Sequence, residues 1–181
     1  AGKKYRIVID PGHGGKDPGA TGYSGRYEKH FTLDMAKKVY DLMRQDPELE
    51  PLMTRTDDSF ISLEDRVAFA NDAKADLFIS IHGNTYKQAI SGTETYYYTS
   101  RSKAFGEVMH RHVVEATKLP DRELRRSPFK VIRDTEMPAV LLELGYLSTK
   151  SDEQAMLSEE FQKRVAAAIV AGAKAYLQKT K

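Results

Sequence analysis

The chain has no cysteine. Disulfides and thiolate chemistry are therefore excluded, and any metal ion would have to be held by His, Asp or Glu side chains. Long apolar runs are also missing, because the longest, Val165–Val170, is far shorter than the roughly 20 residues of a membrane-spanning helix. The formal net charge of the 181 residues is only +2, which gives no reason to expect nucleic-acid binding.

The composition that is present, 40% hydrophobic and 30% charged residues, is typical of a globular domain. The length predicts a single domain over residues 1–181, with a core from about residue 4 to 178. Strand-like and helix-like segments alternate along it, which predicts an α/β fold with a largely parallel central sheet. Strands are predicted at Tyr5–Ile9, Glu50–Thr54, Asp76–Ile81, Thr93–Thr99, Phe129–Ile132 and Ala139–Leu144. Helices are predicted at Phe31–Gln45, from Ser62 to about Ala75, at Arg101–Lys118 and at Ser158–Gln178.

The segment Ile7–Gly25, IVIDPGHGGKDPGATGYSG, joins an apolar strand to a glycine-rich loop that carries one histidine, His13. Pro11 has no backbone donor and favours extended geometry at Asp10, so the strand is expected to end there. The glycines permit sharp turns and let a ligand come close to the main chain. Taken alone, the segment fits a flexible loop with an incidental histidine as well as it fits one wall of a functional site.

Three titratable residues coincide with the ends of predicted strands. His13 follows the first strand, His82 ends the strand DLFISI, and Glu143 lies near the end of AVLLEL. Sites in open α/β sheets gather at the carboxyl ends of the strands. The three side chains are therefore expected at one edge of the sheet.

Glu143 is a single charge inside an apolar run. Burying a carboxylate is costly unless it is paired, hydrogen-bonded or close to a metal ion. One interpretation is a structural carboxylate held by an arginine such as Arg66 or Arg133. The other is a general base beside a cation, whose unfavourable position is part of the mechanism.

His13 and His82, together with a carboxylate, would supply the nitrogen and oxygen ligands that catalytic zinc accepts. Their spacing is not that of an H-E-x-x-H helix, so the ligands must meet from separate strand ends. Spacing does not select the acidic ligand, for which Asp10, Asp17, Glu28 and Asp34 are all candidates. His30 is a competing histidine, whereas His110 and His112 are interpreted as ordinary residues of a helix face.

Five segments in this order resemble the zinc-dependent N-acetylmuramoyl-L-alanine amidases of bacterial cell walls (amidase type 3). The segments are VIDPGHGGKDPGA, YEKHFTLDMAKKV, SLEDRVAFAN, LFISIHGN and MPAVLLELGYLS. The resemblance runs from about Ile7 to the C-terminal helix. It implies a mixed, largely parallel six-stranded sheet flanked by helices, and cleavage of the amide between N-acetylmuramic acid and the first L-alanine of the stem peptide.

Carried over position by position, the resemblance implies that His13, Glu28 and His82 hold one Zn²⁺ and that Glu143 is the catalytic carboxylate. Substrate contacts are expected from Asn84, two residues after His82, and from Arg133. Arg133 belongs to a basic group interpreted either as a solvated loop or as a contact for stem-peptide carboxylates or anionic wall polymers. The other members of that group are Arg122, Arg125, Arg126 and Lys130.

The expected partner is peptidoglycan, with no nucleic acid, and the expected state is a monomer. The resemblance places the protein outside the membrane, as a secreted enzyme at the cell wall or on the periplasmic face. Signal or wall-targeting segments are expected to lie outside this chain. Two alternatives remain open: a non-catalytic wall-binding module, and another zinc hydrolase such as a carboxypeptidase or deacetylase. The chain contains no G-x-x-x-x-G-K-[ST], so the glycine loop is not interpreted as a phosphate loop.

Overall fold

Six strands form one sheet in the computed structural model, which describes residues 2–180. The strands are β1 (Tyr5–Pro11), β2 (Leu49–Met53), β3 (Leu77–Asn84), β4 (Thr93–Tyr97), β5 (Asp121–Arg126) and β6 (Ala139–Tyr146). Their order across the sheet is β2-β1-β3-β6-β4-β5. β1, β2, β3 and β6 run parallel, whereas β4 is antiparallel to β6 and β5 is parallel to β4. The predicted α/β fold with a mixed, largely parallel six-stranded sheet is therefore confirmed.

The strand directions decide which ends meet at the functional edge. The carboxyl ends of β1, β3 and β6 lie side by side, with Asp10 opposite Ser80 and His82 opposite Glu143. Because β4 is reversed, its amino end joins the same edge, and Glu94 lies opposite Glu143. Residues from four strands therefore face one region.

Helices cover both faces of the sheet. They are α1 (Glu28–Arg44), α2 (Leu63–Asp72), α3 (Lys103–Thr117), α4 (Lys130–Arg133), α5 (Lys150–Met156) and α6 (Glu159–Lys179). Side chains of a strand alternate between faces, so Ile7 and Ile9 of β1 pack beneath α1, α3 and α6, while Val8 packs in the smaller core of the other face. Within residues 2–180 no helix is both long enough and apolar enough to cross a membrane.

The predicted strand at Phe129–Ile132 is wrong. Phe129 precedes the one-turn helix α4, whose Val131 and Ile132 are both buried in the smaller core. A four-residue apolar run is too short for its periodicity to distinguish a strand from a helical turn.

Strand β5 and helix α5 were not predicted, and helix α1 starts earlier than predicted. Strand β5 was interpreted as part of a basic loop because it is an exposed edge strand rich in charge, and α5 has no long apolar stripe. Helix α1 begins at Glu28 rather than Phe31. Pro51 lies inside β2, where it is tolerated because β2 is an edge strand that pairs only with β1. Ser62 caps the amino end of α2, since its side chain accepts a hydrogen bond from the backbone N–H of Asp65 at 3.1 Å.

Candidate active site

A cavity of about 500 Å³ opens at the carboxyl edge of β1, β3 and β6. Its polar wall contains His13, Glu28, His82 and Glu143. The cavity is also lined by apolar residues from the segment that leads into α2, from α4 and the residue before it, and from β6. These apolar residues are Phe60, Ile61, Leu63, Phe129, Val131 and Leu141.

Two histidines and one glutamate converge in this cavity. His13 lies in the loop after β1, Glu28 is the first residue of α1, and His82 lies in β3. Glu28 Oε2 is 3.2 Å from His13 Nε2 and 3.2 Å from His82 Nδ1. One ligand atom from each residue lies within 4.8 Å of the other two. The three side chains therefore form a possible metal site, in which two histidines from strand ends meet a carboxylate from the start of a helix.

Glu28 occupies a tightly enclosed position. The backbone N–H of Ala20 donates to its Oε1 at 2.9 Å, and that of Gly83 donates to its Oε2 at 3.1 Å. Gly19, with φ +69°, passes so close that a Cβ atom there would lie 2.6 Å from Glu28 Oε1 and 2.7 Å from His13 Cδ2. A side chain at residue 19 would therefore displace two of the three candidate ligands.

His13 has a left-handed backbone (φ +64°), which is uncommon for a residue with a side chain. Two buried arginines hold the chain in this conformation. Arg66 donates to the carbonyl of His13 at 2.7 Å and to that of Pro11 at 2.7 Å. Arg55 donates to the carbonyls of Pro11 and Gly12 at 3.1 and 3.0 Å. The sequence interpretation missed Arg55, because nothing in its local pattern marks a residue whose partners lie more than 40 positions away.

The charges of the site perturb each other. Burial alone would raise the pKa of the Glu28 carboxyl, but the hydrogen bonds and charges of His13 and His82 outweigh it and hold that pKa well below its usual range. Burial would lower the pKa of His13, but Glu28 and Asp17 raise it. Asp17 Oδ2 accepts from His13 Nδ1 at 2.8 Å, which leaves Nε2 directed at Glu28. The site therefore favours a cationic occupant.

Glu143 lies opposite His82, and its carboxylate makes no hydrogen bond or ion pair with any residue that the structure describes. Neither arginine of the structural interpretation reaches it. Arg66 pairs with Asp10 at 2.8 Å and Arg133 with Asp134 at 2.8 Å. Burial, followed by the charges of Glu28 and Glu94, raises the pKa of Glu143 well above the ordinary value. An unpaired carboxylate with a raised proton affinity thus faces the cavity beside the histidines.

The other candidate ligands lie elsewhere. Asp10 is buried in its pair with Arg66, and Asp17 contacts His13 from the side away from Glu28. Asp34 and His30 are exposed on α1. His110 and His112 belong to α3, as predicted: His110 bonds to Thr95 and Asp121, and His112 bonds to the carbonyl of Val108.

The two predicted substrate contacts differ in position. Asn84 lines the cavity, and its amide nitrogen is 3.4 Å from Glu94 Oε1. Arg133 is not among the lining residues, and Asp134 accepts two hydrogen bonds from its guanidinium, at 2.8 and 3.1 Å. A contact of Arg133 with substrate would therefore have to be made outside the cavity.

A polar cluster beside Glu143 was not predicted. The buried carboxylate of Glu94 accepts hydrogen bonds from the hydroxyls of Tyr96 and Tyr146 and, at 2.9 Å, from Arg122 Nε. Burial and Glu94 raise the pKa of Tyr146 to about 12. Thr93–Thr99 was predicted as a strand, but its alternation did not indicate that Glu94 and Tyr96 would share a face with the end of β6.

Comparison with known proteins identifies the family of this chain. A family profile described as N-acetylmuramoyl-L-alanine amidase matches residues 7–175. The protein YqiI of Bacillus subtilis, which is uncharacterized, is 39% identical over 174 residues, covering 94% of this chain and 84% of YqiI. The sporulation-specific N-acetylmuramoyl-L-alanine amidase of the same organism is 38% identical over 160 residues, covering 86% of this chain and 62% of that protein.

A solved structure gives the same result at the level of the fold. The catalytic domain of CwlV, an N-acetylmuramoyl-L-alanine amidase from Bacillus (Paenibacillus) polymyxa var. colistinus, superposes with a TM-score of 0.95 at 50% identity. The match covers 96% of this chain and 98% of that domain. The resemblance inferred from the five segments is thereby confirmed. This chain belongs to the N-acetylmuramoyl-L-alanine amidase family.

Proposed function

We propose that this chain is a zinc-dependent hydrolase that cleaves the amide between N-acetylmuramic acid and the L-alanine of the stem peptide in peptidoglycan. Membership of the amidase family gives the reaction class. The observation that carries the proposal is the pairing of a His13–Glu28–His82 ligand set with the unpaired carboxylate of Glu143 in one cavity.

Two of the three distances between the ligand atoms match those of a zinc site. In a tetrahedral site with bonds of about 2.0–2.1 Å, two neighbouring ligand atoms are about 3.3 Å apart. The two separations involving Glu28 Oε2 are both 3.2 Å. Two imidazoles and one carboxylate also form a three-ligand set of the catalytic kind, which leaves a fourth position for water or substrate.

When bound, zinc would polarise the scissile carbonyl and make a water molecule acidic enough to act as nucleophile near neutral pH. The role of Glu143 is to move protons. Its carboxylate would accept a proton from the attacking water and then donate it to the departing alanine nitrogen. The environment that raises the pKa of Glu143 supports this proposal, because a carboxyl that retains a proton more readily can carry it between the two steps.

Asn84 is proposed to orient the substrate, because its amide lies at the cavity wall close to Glu143 and to the cluster around Glu94. Arg133 is proposed as a more distant contact for an anionic part of the stem peptide or wall polymer. The apolar wall formed by Phe60, Leu63 and Phe129 would pack against aliphatic parts of the substrate.

Digestion of purified peptidoglycan tests the reaction. New N-terminal L-alanine is expected after treatment with the zinc-loaded protein, without new reducing sugars. A new stem-peptide carboxylate would instead identify a peptidase, and binding to peptidoglycan without new ends would identify a non-catalytic wall-binding module. Thorough chelation should abolish the activity and added zinc should restore it, so hydrolysis undiminished by chelation would overturn the zinc proposal.

The place of action follows from the substrate. Relatives named as cell wall amidases indicate action at the cell wall, and we propose that this protein is secreted or faces the periplasm and acts there as an autolysin. We also propose that it is a monomer, which sedimentation of the purified chain would test.

A further inference from the structure

We propose that Asp10 and Ser80 form a hydrogen-bond relay that orients His82 and fixes which of its ring nitrogens is available to a metal ion. This inference rests on the proposed function, in which His82 is a metal ligand. It assigns a positioning role to two buried residues that are not themselves among the proposed metal ligands.

The relay is continuous from the sheet to the imidazole. The hydroxyl of Ser80 is 2.7 Å from Asp10 Oδ2 and 2.9 Å from His82 Nε2. The other carboxylate oxygen of Asp10, Oδ1, accepts from Thr54 Oγ1 at 2.7 Å and from Arg66 NH1 at 2.8 Å. Asp10 and Ser80 are opposite each other in the paired strands β1 and β3, so the backbone register sets this geometry.

The direction of each hydrogen bond follows from the chemistry of the groups. Burial would raise the pKa of Asp10, but Arg66 and the hydrogen bonds from Ser80 and Thr54 hold it below its usual value, so the carboxylate is ionised and only accepts. The single hydroxyl hydrogen of Ser80 is therefore donated to Asp10. Ser80 Oγ can then only accept from His82, which requires a hydrogen on Nε2. When a metal ion replaces the hydrogen between Nδ1 and Glu28 Oε2, which are 3.2 Å apart, Nδ1 therefore offers its lone pair to the ion.

The two histidines are thus oriented by different means. The carboxylate of Asp17 bonds directly to His13 Nδ1 and is almost half exposed, with 44% of its side-chain surface accessible. His82 is instead held through a hydroxyl by a fully buried carboxylate. Asp10 and Ser80 are both buried, so the loss of either should weaken metal binding more than the loss of a solvent-accessible partner.

One substitution should reverse the direction of the hydrogen bonds in the relay without removing them. In Asp10→Asn, Thr54 and Arg66 would continue to bond to Oδ1, so the amide oxygen should occupy that position and the NH₂ group should face Ser80. Ser80 would then accept from the amide and donate its hydrogen toward His82 Nε2. That arrangement favours a hydrogen on Nδ1, the nitrogen that a metal ion needs.

The experiment measures the zinc dissociation constant of the full chain by competition with a chelator. We expect affinity to fall about 10-fold in Ser80→Ala and about 100-fold in Asp10→Asn, the range found when groups that orient metal ligands are lost. The double variant Asp10→Asn/Ser80→Ala should resemble Ser80→Ala, because without the Ser80 hydroxyl the amide at residue 10 cannot change the hydrogen bond to His82. In the zinc-loaded wild type, the Nε2–H of His82 should give a slowly exchanging proton resonance, and Ser80→Ala should lose it.

Thr54→Val is the matched control, because it removes a hydroxyl that bonds to the same carboxylate at the same 2.7 Å but does not touch His82. Its zinc affinity should stay near that of the wild type. Equal losses in Thr54→Val and Ser80→Ala, additive losses in the double variant, or a Ser80→Ala protein that keeps wild-type affinity would each overturn the relay. Absence of zinc binding in the wild type would instead overturn the proposed function on which the relay rests.

Discussion

Gly19 and Gly25 make a matched pair for testing whether the glycine loop positions the metal ligands. Both have a left-handed backbone, with φ +69° and +91°. Alanine at either position should therefore lower the free energy of unfolding by about 1 to 2 kcal/mol, the cost of this conformation for an L-residue. The surroundings differ, because a Cβ atom on Gly25 would meet nothing within 4 Å.

A Cβ atom on Gly19 would lie 2.6 Å from Glu28 Oε1, where ordinary contact begins at 3.4 Å, so about 0.8 Å of movement is required. The Cβ would also lie 2.7 Å from His13 Cδ2, so it would push both His13 and Glu28 away from their present positions. A misplacement of about 1 Å can reduce a catalytic rate about 100-fold. We expect Gly19→Ala to lose about that much in kcat/KM and at least about 10-fold in zinc affinity.

The assay is release of soluble fragments from labelled peptidoglycan, with urea unfolding and zinc competition measured on the same preparations. Gly25→Ala should lose similar stability while its rate and zinc affinity stay within about threefold of the wild type. If Gly19→Ala performs like Gly25→Ala in both the rate and the zinc measurement, the loop does not control the positions of the metal ligands.

Three further outcomes are expected. Glu143→Gln cannot accept a proton, so kcat/KM should fall by about 10² to 10⁴ while the zinc dissociation constant is unchanged; near-normal turnover would remove Glu143 from the mechanism. The pKa of Asp10 is lower in the folded protein than its value of about 3.9 in the unfolded chain. The ionised carboxylate therefore contributes its full stabilisation above about pH 4, and this contribution is lost as the pH falls toward the folded-state pKa. Urea unfolding of Asp10→Asn should depend less on pH below about 4 than unfolding of the wild type, and identical slopes would contradict this. Lys118 ends α3 with a left-handed backbone at φ +59°, so Lys118→Gly should raise the free energy of unfolding by about 1 kcal/mol. A lower free energy of unfolding in urea would refute this.

The sequence predicted the site residues at strand ends better than the residues that hydrogen-bond to the site and hold it in place. Each of His13, His82 and Glu143 stands at the end of an apolar run, and parallel strands bring such ends together, so their convergence could be expected. Glu28 was selected only by family resemblance. Its position depends on the fold of the glycine loop over the start of α1, which no periodicity encodes.

The residues that support the site could not be predicted from the sequence for a related reason. Arg55 bonds to carbonyls more than 40 positions away, and Glu94 gathers Tyr146 from a strand 52 positions away. Such contacts depend on strand order, which the sequence did not reveal. The exposed strand β5 was missed because its charged residues lack the alternation that identifies a half-buried strand.

The reversal of β4 also affects how the fold tolerates change. Because β3 ends and β4 begins at the same edge, their connection crosses only the end of β6, and residues 85–92 are enough to make it. Lengthening such a loop is inexpensive, since each doubling adds only about 0.6 kcal/mol of closure entropy. Insertions here would leave the sheet intact but would emerge over the strand end that carries Glu143. This connection is therefore the point at which new segments could restrict or widen access to the cavity without redesigning the fold.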